Sequence, residues 1–237
     1  MAAGRLKWDE IGERYYTTGV KMGVLYPQNA SGVYQDGVAW NGVTAVNEAP
    51  SGGEVTSLYA NDDKYLDLVS VETYGFTLEA YDSPDEFEAC DGSKEITPGV
   101  YAGQQNRLPF GFVFRNCIGN DTEGVDHGYE LTIVYGCKAQ PSSRSHSTIN
   151  ESPEAQTLSW EVKATPVTMP TGYKKTATIK IKTTRLDTTT LGYLEKLEDI
   201  LYGKDADATA GTDAVAPRLP LPAEVISIMT TGSYTAG

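Results

Sequence analysis

The feature of this sequence that most constrains its fold is an alternation of apolar and polar side chains, which recurs in five separate segments. In a β-strand successive side chains point to opposite faces, so an alternating segment buries one face and exposes the other. The apolar members of the five segments are Tyr74, Phe76, Leu78 and Ala80; Leu108, Phe110, Phe112 and Phe114; Tyr129, Leu131, Ile133, Tyr135 and Cys137; Leu158, Trp160, Val162 and Ala164; and Ala177, Ile179 and Ile181. Five half-buried strands predict a mainly β fold, an antiparallel sandwich or barrel.

A shorter apolar run from Val38 to Val46 is interrupted by Asn41 and Gly42. The pair Asn-Gly fits the two central positions of a type I′ turn, which connects the strands of many hairpins. This run therefore predicts either one more strand or a hairpin.

One segment has the period of a helix instead. Its apolar residues recur at spacings of three and four, and they are Leu191, Leu194, Leu197, Ile200 and Leu201. Asp187 or a neighbouring Thr can cap the start, and Gly203 can close the end. We predict a single amphipathic helix over about 188–202 whose leucine stripe covers an open face of the sheet. Its polar residues should lie in solvent, namely Glu195, Lys196, Glu198 and Asp199.

The remaining stretches are long, and loops above about 12–15 residues are uncommon in compact domains unless they are functional or disordered. We predict one domain over residues 1–237 that carries an N-terminal arm (1–37), an acidic loop (82–106), a long Ser-rich loop (138–154) and a C-terminal arm (204–237). Within the last of these, a Pro-rich spacer leads to an apolar strand over 225–229 that can add to the edge of a sheet. Arms of this kind are expected to order against a partner.

The charge balance restricts the class of partner. The 237 residues include 19 Lys and Arg against 32 Asp and Glu, a net charge of −13. A conventional nucleic-acid-binding protein needs a basic patch, so this balance argues against one. No run approaches the roughly 18 apolar residues of a membrane span, and the first ten residues lack the apolar core of a secretory signal. We expect a protein made and at first kept in the cytoplasm.

Residues suited to catalysis or metal binding are few and scattered. His127 and His146 lie in a predicted turn and a polar loop, and neither has the helical partner of an H-E-x-x-H zinc motif. The stretch 120–126 supplies oxygen ligands without the twelve-residue spacing of an EF-hand. The pair Glu86 and Glu88 suits glycoside hydrolysis, yet such pairs carry little information in so acidic a chain. We expect no catalytic, cofactor-binding or metal-binding residues, and no enzyme.

The cysteine pattern, like the histidines and carboxylates, gives no sign of a metal site. There are three, Cys90, Cys117 and Cys137, far apart in the sequence and without a C-x-x-C pair. We expect reduced, partly buried thiols rather than a disulfide or a metal site.

Eight segments, in order along nearly the whole chain, carry a resemblance to a known family. They are residues 32–42 (GVYQDGVAWNG), 58–66 (LYANDDKYL), 79–87 (EAYDSPDEF) with 90–92 (CDG), 118–124 (IGNDTEG), the Tyr-ending strand 129–135, 147–154 (STINESPE), 197–203 (LEDILYG) and 217–222 (PRLPLP). Together they resemble the major tail proteins, or tail tube proteins, of long-tailed bacteriophages of Gram-positive hosts. No single segment is specific, and it is their order that carries the resemblance.

The resemblance implies a β-sandwich or barrel with one helix that assembles into rings, usually hexameric, which stack into a hollow tube. The implied partners are further copies of the chain, a tape measure protein in the lumen, tail terminator and distal tail or baseplate proteins, and viral DNA that passes through without specific binding. The implied location is the virion tail, and the host cytoplasm during assembly, with no membrane partner. An excess of carboxylates suits a wall that repels DNA phosphates over a Debye length of about 8 Å.

The carboxylates that would line such a lumen cannot be chosen from the alternation. The polar positions of the strands carry both signs of charge, namely Glu79, Glu130, Glu161, Lys163, Lys180 and Lys182. Two other functions also stay open. A tube protein of a phage-tail-derived particle, such as a bacteriocin or an injection apparatus, would share the fold. A monomeric β-sandwich binding module would instead expose an aromatic cleft and form no tubes.

Overall fold

The computed structural model describes residues 5–146, 148, 155–206 and 213–233. The strands are β1 (Tyr16–Pro27), β2 (Val38–Trp40), β3 (Val43–Glu48), β4 (Val55–Ala60), β5 (Asp63–Val69), β6 (Gly75–Ala80), β7 (Lys94–Thr97), β8 (Val100–Ala102), β9 (Phe110–Asn120), β10 (Gly124–Ala139), β11 (Leu158–Ala164) and β12 (Thr178–Lys182), and the helices are α1 (Thr188–Tyr202) and α2 (Pro222–Thr231). Every pair of these strands is antiparallel. The predicted mainly β class is confirmed, and the five alternating segments are β6, β9, β10, β11 and β12.

The main sheet has the order β2-β1-β9-β10-β11-β6-β3, and β12 also pairs with β10. Its end strands β2 and β3 are consecutive in the chain, so the sheet curls until its two ends approach without closing into a barrel. β2 pairs with β1 and β3 with β6, and only Gly42 of the connecting pair Asn41-Gly42 has a positive φ (+76°). The run 38–46 thus contains two strands that pair with different neighbours, so neither the single strand nor the type I′ hairpin predicted for it is correct.

The curled sheet encloses a core of aromatic and aliphatic side chains, which we call the inner cluster. Its largest members are Trp40, Phe76, Phe87, Phe110, Phe112, Phe114 and Trp160. Trp40 stands at its centre, with its ring centroid 4.6 Å from that of Phe87 and 5.6 Å from that of Trp160. Aromatic pairs at these separations are attractive beyond the burial of their area. The alternation of β9 is what directs three of these phenylalanines inward.

The two helices cover the opposite face of the sheet and form a second, helix-side cluster. Asp187 caps α1 by accepting from the backbone N–H of Thr190 at 2.8 Å, and the helix spans the residues that the sequence predicts. The buried side of α1 contributes Leu194, Leu197, Ile200 and Leu201, packed with Leu131 and Ile133 of β10. In the described part of the chain, neither helix has the length and apolar character that crossing a membrane requires.

The prediction of an apolar strand over 225–229 is wrong, because this segment belongs to α2. Val225 and Ile228 are buried in the helix-side cluster with Met229 beside them, a spacing of three and four that also fits a helix. Pro222 occupies the first turn, where its fixed φ favours helix initiation. Residues 213–233 thus pack on the body, while residues 207–212 and 234–237 of the predicted C-terminal arm lie outside the described residues.

Part of the predicted N-terminal arm is also a strand. β1 is the second strand from one end of the main sheet, where it lies between β2 and β9. Leu25 and Tyr26 are fully buried on opposite faces of it, and the Tyr26 hydroxyl donates to the Leu201 carbonyl at 2.6 Å. A segment paired with strands on both sides cannot act as a mobile arm.

A bulge at Gly136 changes the direction of the β10 side chains. The β9–β10 register shifts between Val134 and Cys137, and Gly136 has a φ of +61°. Cys137 therefore joins the inner cluster, whereas the strict alternation places it on the face of Tyr135. The alternation is wrong for Thr132 as well, which is fully buried although its position is predicted to face solvent.

Gly136→Ala is expected to lower the free energy of unfolding by at least about 2 kcal/mol, because left-handed backbone is costly with a Cβ present. The added Cβ would also stand 2.5 Å from the Thr165 carbonyl oxygen. Gly192→Ala is the matched control: this glycine lies in α1 with open space around it, and the change should stabilise by about 0.5–1 kcal/mol. Urea denaturation of both variants measures the difference, and equal midpoints would contradict the role given to Gly136.

Candidate assembly surface

β4 and β5 form a two-stranded sheet of their own that extends the β3–β6 pair outward. Backbone hydrogen bonds carry the pairing across the junction. The Ala49 N–H donates to the Gly75 carbonyl at 2.8 Å, and Ser51 and Thr73 exchange two bonds of 2.9 and 2.7 Å. The result is a continuous ribbon whose outer part leaves the body of the protein. We call residues 55–69 the projecting hairpin.

The tip of the projecting hairpin is a two-residue turn formed by Asn61 and Asp62. Both have left-handed backbone, with φ of 53° and 63°, and they connect the paired residues Ala60 and Asp63. Two positive φ values are what a type I′ turn requires, and Asn and Asp tolerate them better than most residues. Two strand-forming runs separated by such a pair are a recognised hairpin signal. This hairpin is not among the elements predicted above, although its signal is present in the sequence.

One face of the projecting hairpin is apolar and exposed. Leu58 pairs with Leu66 across the strands, and Thr56 pairs with Leu68 on the same face. The side chains are 42, 39 and 53% exposed for Leu58, Leu66 and Leu68, respectively. Tyr59 and Tyr65 add large exposed rings near the tip. Exposed apolar side chains grouped on one face are a common feature of interaction sites.

The opposite face is held together by polar contacts. The Ser57 hydroxyl donates to the Asp67 carboxylate at 2.6 Å, and Lys64 forms an ion pair with Asp67 at 2.8 Å. The Lys64 ammonium, with help from the Ser57 hydroxyl, lowers the pKa of Asp67. A lone two-stranded hairpin is marginal in water. Burial of its leucine face against another surface would therefore stabilise the projecting hairpin further.

Two further groups of exposed apolar residues accompany it. Before β1 they are Leu6, Trp8 and Ile11, and in the predicted acidic loop they are Ile96, Val100 and Tyr101 of the β7–β8 hairpin.

The acidic loop is otherwise fastened to the body, because its short 3₁₀ turn, Asp85–Phe87, inserts Phe87 into the inner cluster. Asp91 binds both Arg107 at 2.9 Å and Arg144 of the Ser-rich loop at 2.7 Å.

A cluster of aromatic and charged residues fastens α1 to the sheet. Arg115 of β9 forms an ion pair with Glu198 and lies between two rings, 4.3 Å from the Tyr129 centroid and 4.9 Å from that of Tyr202. The Tyr129 hydroxyl donates to Glu198 at 2.6 Å. Burial and the neighbouring Glu198 raise the pKa of Tyr129, and burial raises the pKa of Tyr202 to about 12. The expectation that Glu198 lies in solvent is wrong, since its side chain is 17% exposed.

The residues considered for catalysis or metal binding occupy structural positions. Asn120 is buried, and its side-chain oxygen accepts from the backbone N–H groups of Thr122 and Glu123 at 3.1 and 2.6 Å. His127 contacts Glu123 through Nδ1 at 2.8 Å, and His146 is exposed. In the segment 82–106, Glu86 is exposed on the 3₁₀ turn and Glu88 is half-buried after it. The structure does not bring these groups together into one site.

Three lysines at polar positions of the alternating strands are paired with carboxylates. Lys180 contacts Glu48 of β3 at 2.6 Å, Lys182 contacts Glu130 at 3.2 Å, and Lys163 contacts Glu161 at 3.7 Å. Glu79 is half-buried on β6. The positive and negative charges predicted for the sheet surface are thus largely paired with each other, and these three lysines do not form a basic patch.

All three cysteines are free thiols, and Cys90 and Cys137 are buried. Burial raises the pKa of Cys90 to about 12 and holds the pKa of Cys137 well above its ordinary value. Because the thiolate is the reactive species, neither should react while the protein is folded. We expect a thiol reagent to label at most one cysteine per native chain, Cys117, and three after denaturation. A Cys117→Ser variant should then show no native labelling, and a fast second native thiol would contradict this packing.

No family model matches the sequence, and no curated protein matches it either.

Proposed function

We propose that this chain is the structural protein of a phage tail tube, which assembles into stacked rings of six subunits through which viral DNA passes. The observation that carries the proposal is the projecting hairpin, whose leucine face is exposed in the isolated chain. Burying a leucine side chain fully contributes roughly 1.5–3 kcal/mol. Three leucines on a hairpin that is marginal alone are a strong drive toward association with another subunit.

The order of the eight sequence segments supports this function over other kinds of association. The mainly antiparallel β architecture, with α1 on the face of the sheet, is also what the family resemblance implies. In this proposal, the tape measure protein, the tail terminator and the distal tail or baseplate proteins are the other partners. Assembly takes place in the host cytoplasm, and the product resides in the virion tail.

The electrostatics support a conduit better than a DNA-binding surface. The chain carries a net charge of −13, and the strand lysines Lys163, Lys180 and Lys182 are already paired with carboxylates. A wall of this kind repels phosphates within about 8 Å at physiological salt. Viral DNA would therefore pass without being held.

Sedimentation velocity over a concentration series, followed by negative-stain microscopy, tests this function. We expect a transition from monomer to rings and tubes of uniform diameter, with no duplex DNA retained at 0.15 M salt. A protein that remains monomeric at every concentration would overturn the proposal and favour a monomeric binding module. A tube protein from a tail-derived particle would assemble in the same way. The two functions are distinguished by the particle in which the chain is found.

A further inference from the structure

A cleft of about 300 Å³ lies at the end of the sheet where β9 finishes and β10 begins. Its walls include Tyr15, Ile118 and His127, and the ring centroids of Tyr15 and His127 are 5.3 Å apart. Lys182 and Arg185 supply cationic side chains to the same cleft. The cleft therefore combines aromatic walls with basic groups, although the chain as a whole is strongly acidic.

Arg185 is the cation in this cleft that is available to a partner. Lys182 is paired with Glu130 at 3.2 Å, and His127 contacts Glu123 at 2.8 Å. Arg185 is exposed at the end of the 3₁₀ turn Thr183–Arg185, and it has no ion pair within the described part of the chain. A guanidinium next to aromatic walls is well suited to a carboxylate, because its planar fork can donate two hydrogen bonds at once.

Exposed carboxylates of the same chain lie at the opposite end of β9. Asp85 and Glu86 are exposed on their 3₁₀ turn and have no ion pair within the described residues. The turn is held rigidly, because the Phe87 ring lies 5.5 Å from that of Phe110 and 5.2 Å from that of Trp160. A preorganised turn loses little conformational entropy on binding.

The separation of the two features determines how they can meet. Phe110, beside the acidic turn, and Ile118, in the cleft, are eight residues apart along β9, which corresponds to about 26 Å. They cannot contact each other within one chain. Complementary features at opposite ends of a subunit can join two copies in a head-to-tail contact. Such a contact repeats along an open filament unless the rotation between successive copies closes a ring.

We propose that the acidic turn of one copy, with Asp85 and Glu86, enters the Arg185 cleft of the next copy. This inference rests on the proposed self-assembly and adds a specific contact along the axis of the strands, separate from the projecting hairpin. A copy of this chain is the occupant, because its exposed carboxylates Asp85 and Glu86 locally complement the Arg185 guanidinium. A short acidic turn fits a cleft of this size.

A charge-exchange experiment tests the contact. Arg185→Glu should raise the concentration needed for assembly by about tenfold or more, since like charges would then face each other. Glu86→Arg should have a similar effect, and the double variant R185E/E86R should restore assembly because the pair is again complementary. Lys174→Glu is the matched control: this lysine is exposed, has no ion pair within the described residues, and precedes β12 rather than following it.

The possible results are distinct. Normal assembly of R185E would overturn this contact while leaving the tube function intact. A defect in R185E that E86R does not repair would overturn the choice of the acidic turn as occupant, as would an equal defect in K174E. Failure of the unaltered protein to assemble would overturn the tube function and this contact with it. We expect R185E and E86R each to assemble poorly, and R185E/E86R and K174E to assemble like the unaltered protein.

Discussion

Replacing Leu66 and Leu68 by lysine is expected to abolish ring and tube formation while leaving the monomer as stable as the unaltered protein. Both leucines are exposed on the projecting hairpin, so lysines there cost the monomer little. In an assembly, the same positions would have to bury two ammonium groups, and lysine on an exposed strand is a common means of preventing edge-to-edge association. Sedimentation velocity measures the assembly, and urea denaturation of the monomer measures the stability.

The matched control places the same two charges on exposed apolar residues elsewhere. Val33 and Tyr173 are 58 and 67% exposed and lie outside the projecting hairpin. A Val33→Lys/Tyr173→Lys variant should assemble normally. Tubes formed by the Leu66→Lys/Leu68→Lys variant at the same concentration as the unaltered protein would show that the projecting hairpin is not an assembly contact.

Glu198→Ala is expected to lower the free energy of unfolding by about 3–5 kcal/mol, because it leaves the Arg115 charge without its counter-ion. The Arg115 side chain is only 13% exposed and lies between the Tyr129 and Tyr202 rings, so water cannot fully replace the carboxylate. The Tyr129 hydroxyl would lose its acceptor in the same step. The loss should appear as a lower urea midpoint, measured where the protein is monomeric.

A neighbouring residue of the same helix provides the control. Asp199 forms its ion pair with Lys204 on the surface, where both side chains are more than 40% exposed. Asp199→Ala should therefore cost less than about 1 kcal/mol. A double replacement, Arg115→Met with Glu198→Leu, should recover most of the loss because it removes both charges. Equal costs for Glu198→Ala and Asp199→Ala would contradict the role of the buried pair.

The parts of the fold that follow from local pattern could be predicted. The five alternating strands and α1 each have a repeated spacing, and the limits of α1 are marked by Asp187 before it and Gly203 after it. Where one segment fits the spacing of both a strand and a helix, the prediction from local pattern was wrong. The apolar residues of 225–229 fit both a strand and a helix, and the decisive signal was Pro222 at the first turn.

Other features depend on tertiary structure. β1 has no clear alternation in sequence, and it becomes a strand because β2 and β9 pair with it on both sides. Cys137 changes face because of a bulge whose position the alternation does not show. Glu198 has the spacing of a surface residue, yet Arg115 reaches it from a distant strand. No local pattern contains these contacts.

The candidate surface was recognisable in part. The turn at Asn61 and Asp62 between two strand-forming runs was a readable hairpin signal, although its exposure could not be known without the rest of the fold. The cleft around Arg185 combines residues from before β1, from β10 and from the end of β12. Residues this far apart in the sequence form no local motif from which the cleft could be predicted.

The continuity between the projecting hairpin and the β3–β6 pair also has a mechanical consequence. A pull on the hairpin along its strands reaches the body through the Ala49–Gly75 and Ser51–Thr73 bonds, and then through the β6–β11 ladder. Force along a strand shears many backbone bonds together, whereas force across a strand opens them one at a time. A filament joined through such ribbons would resist stretching better than bending.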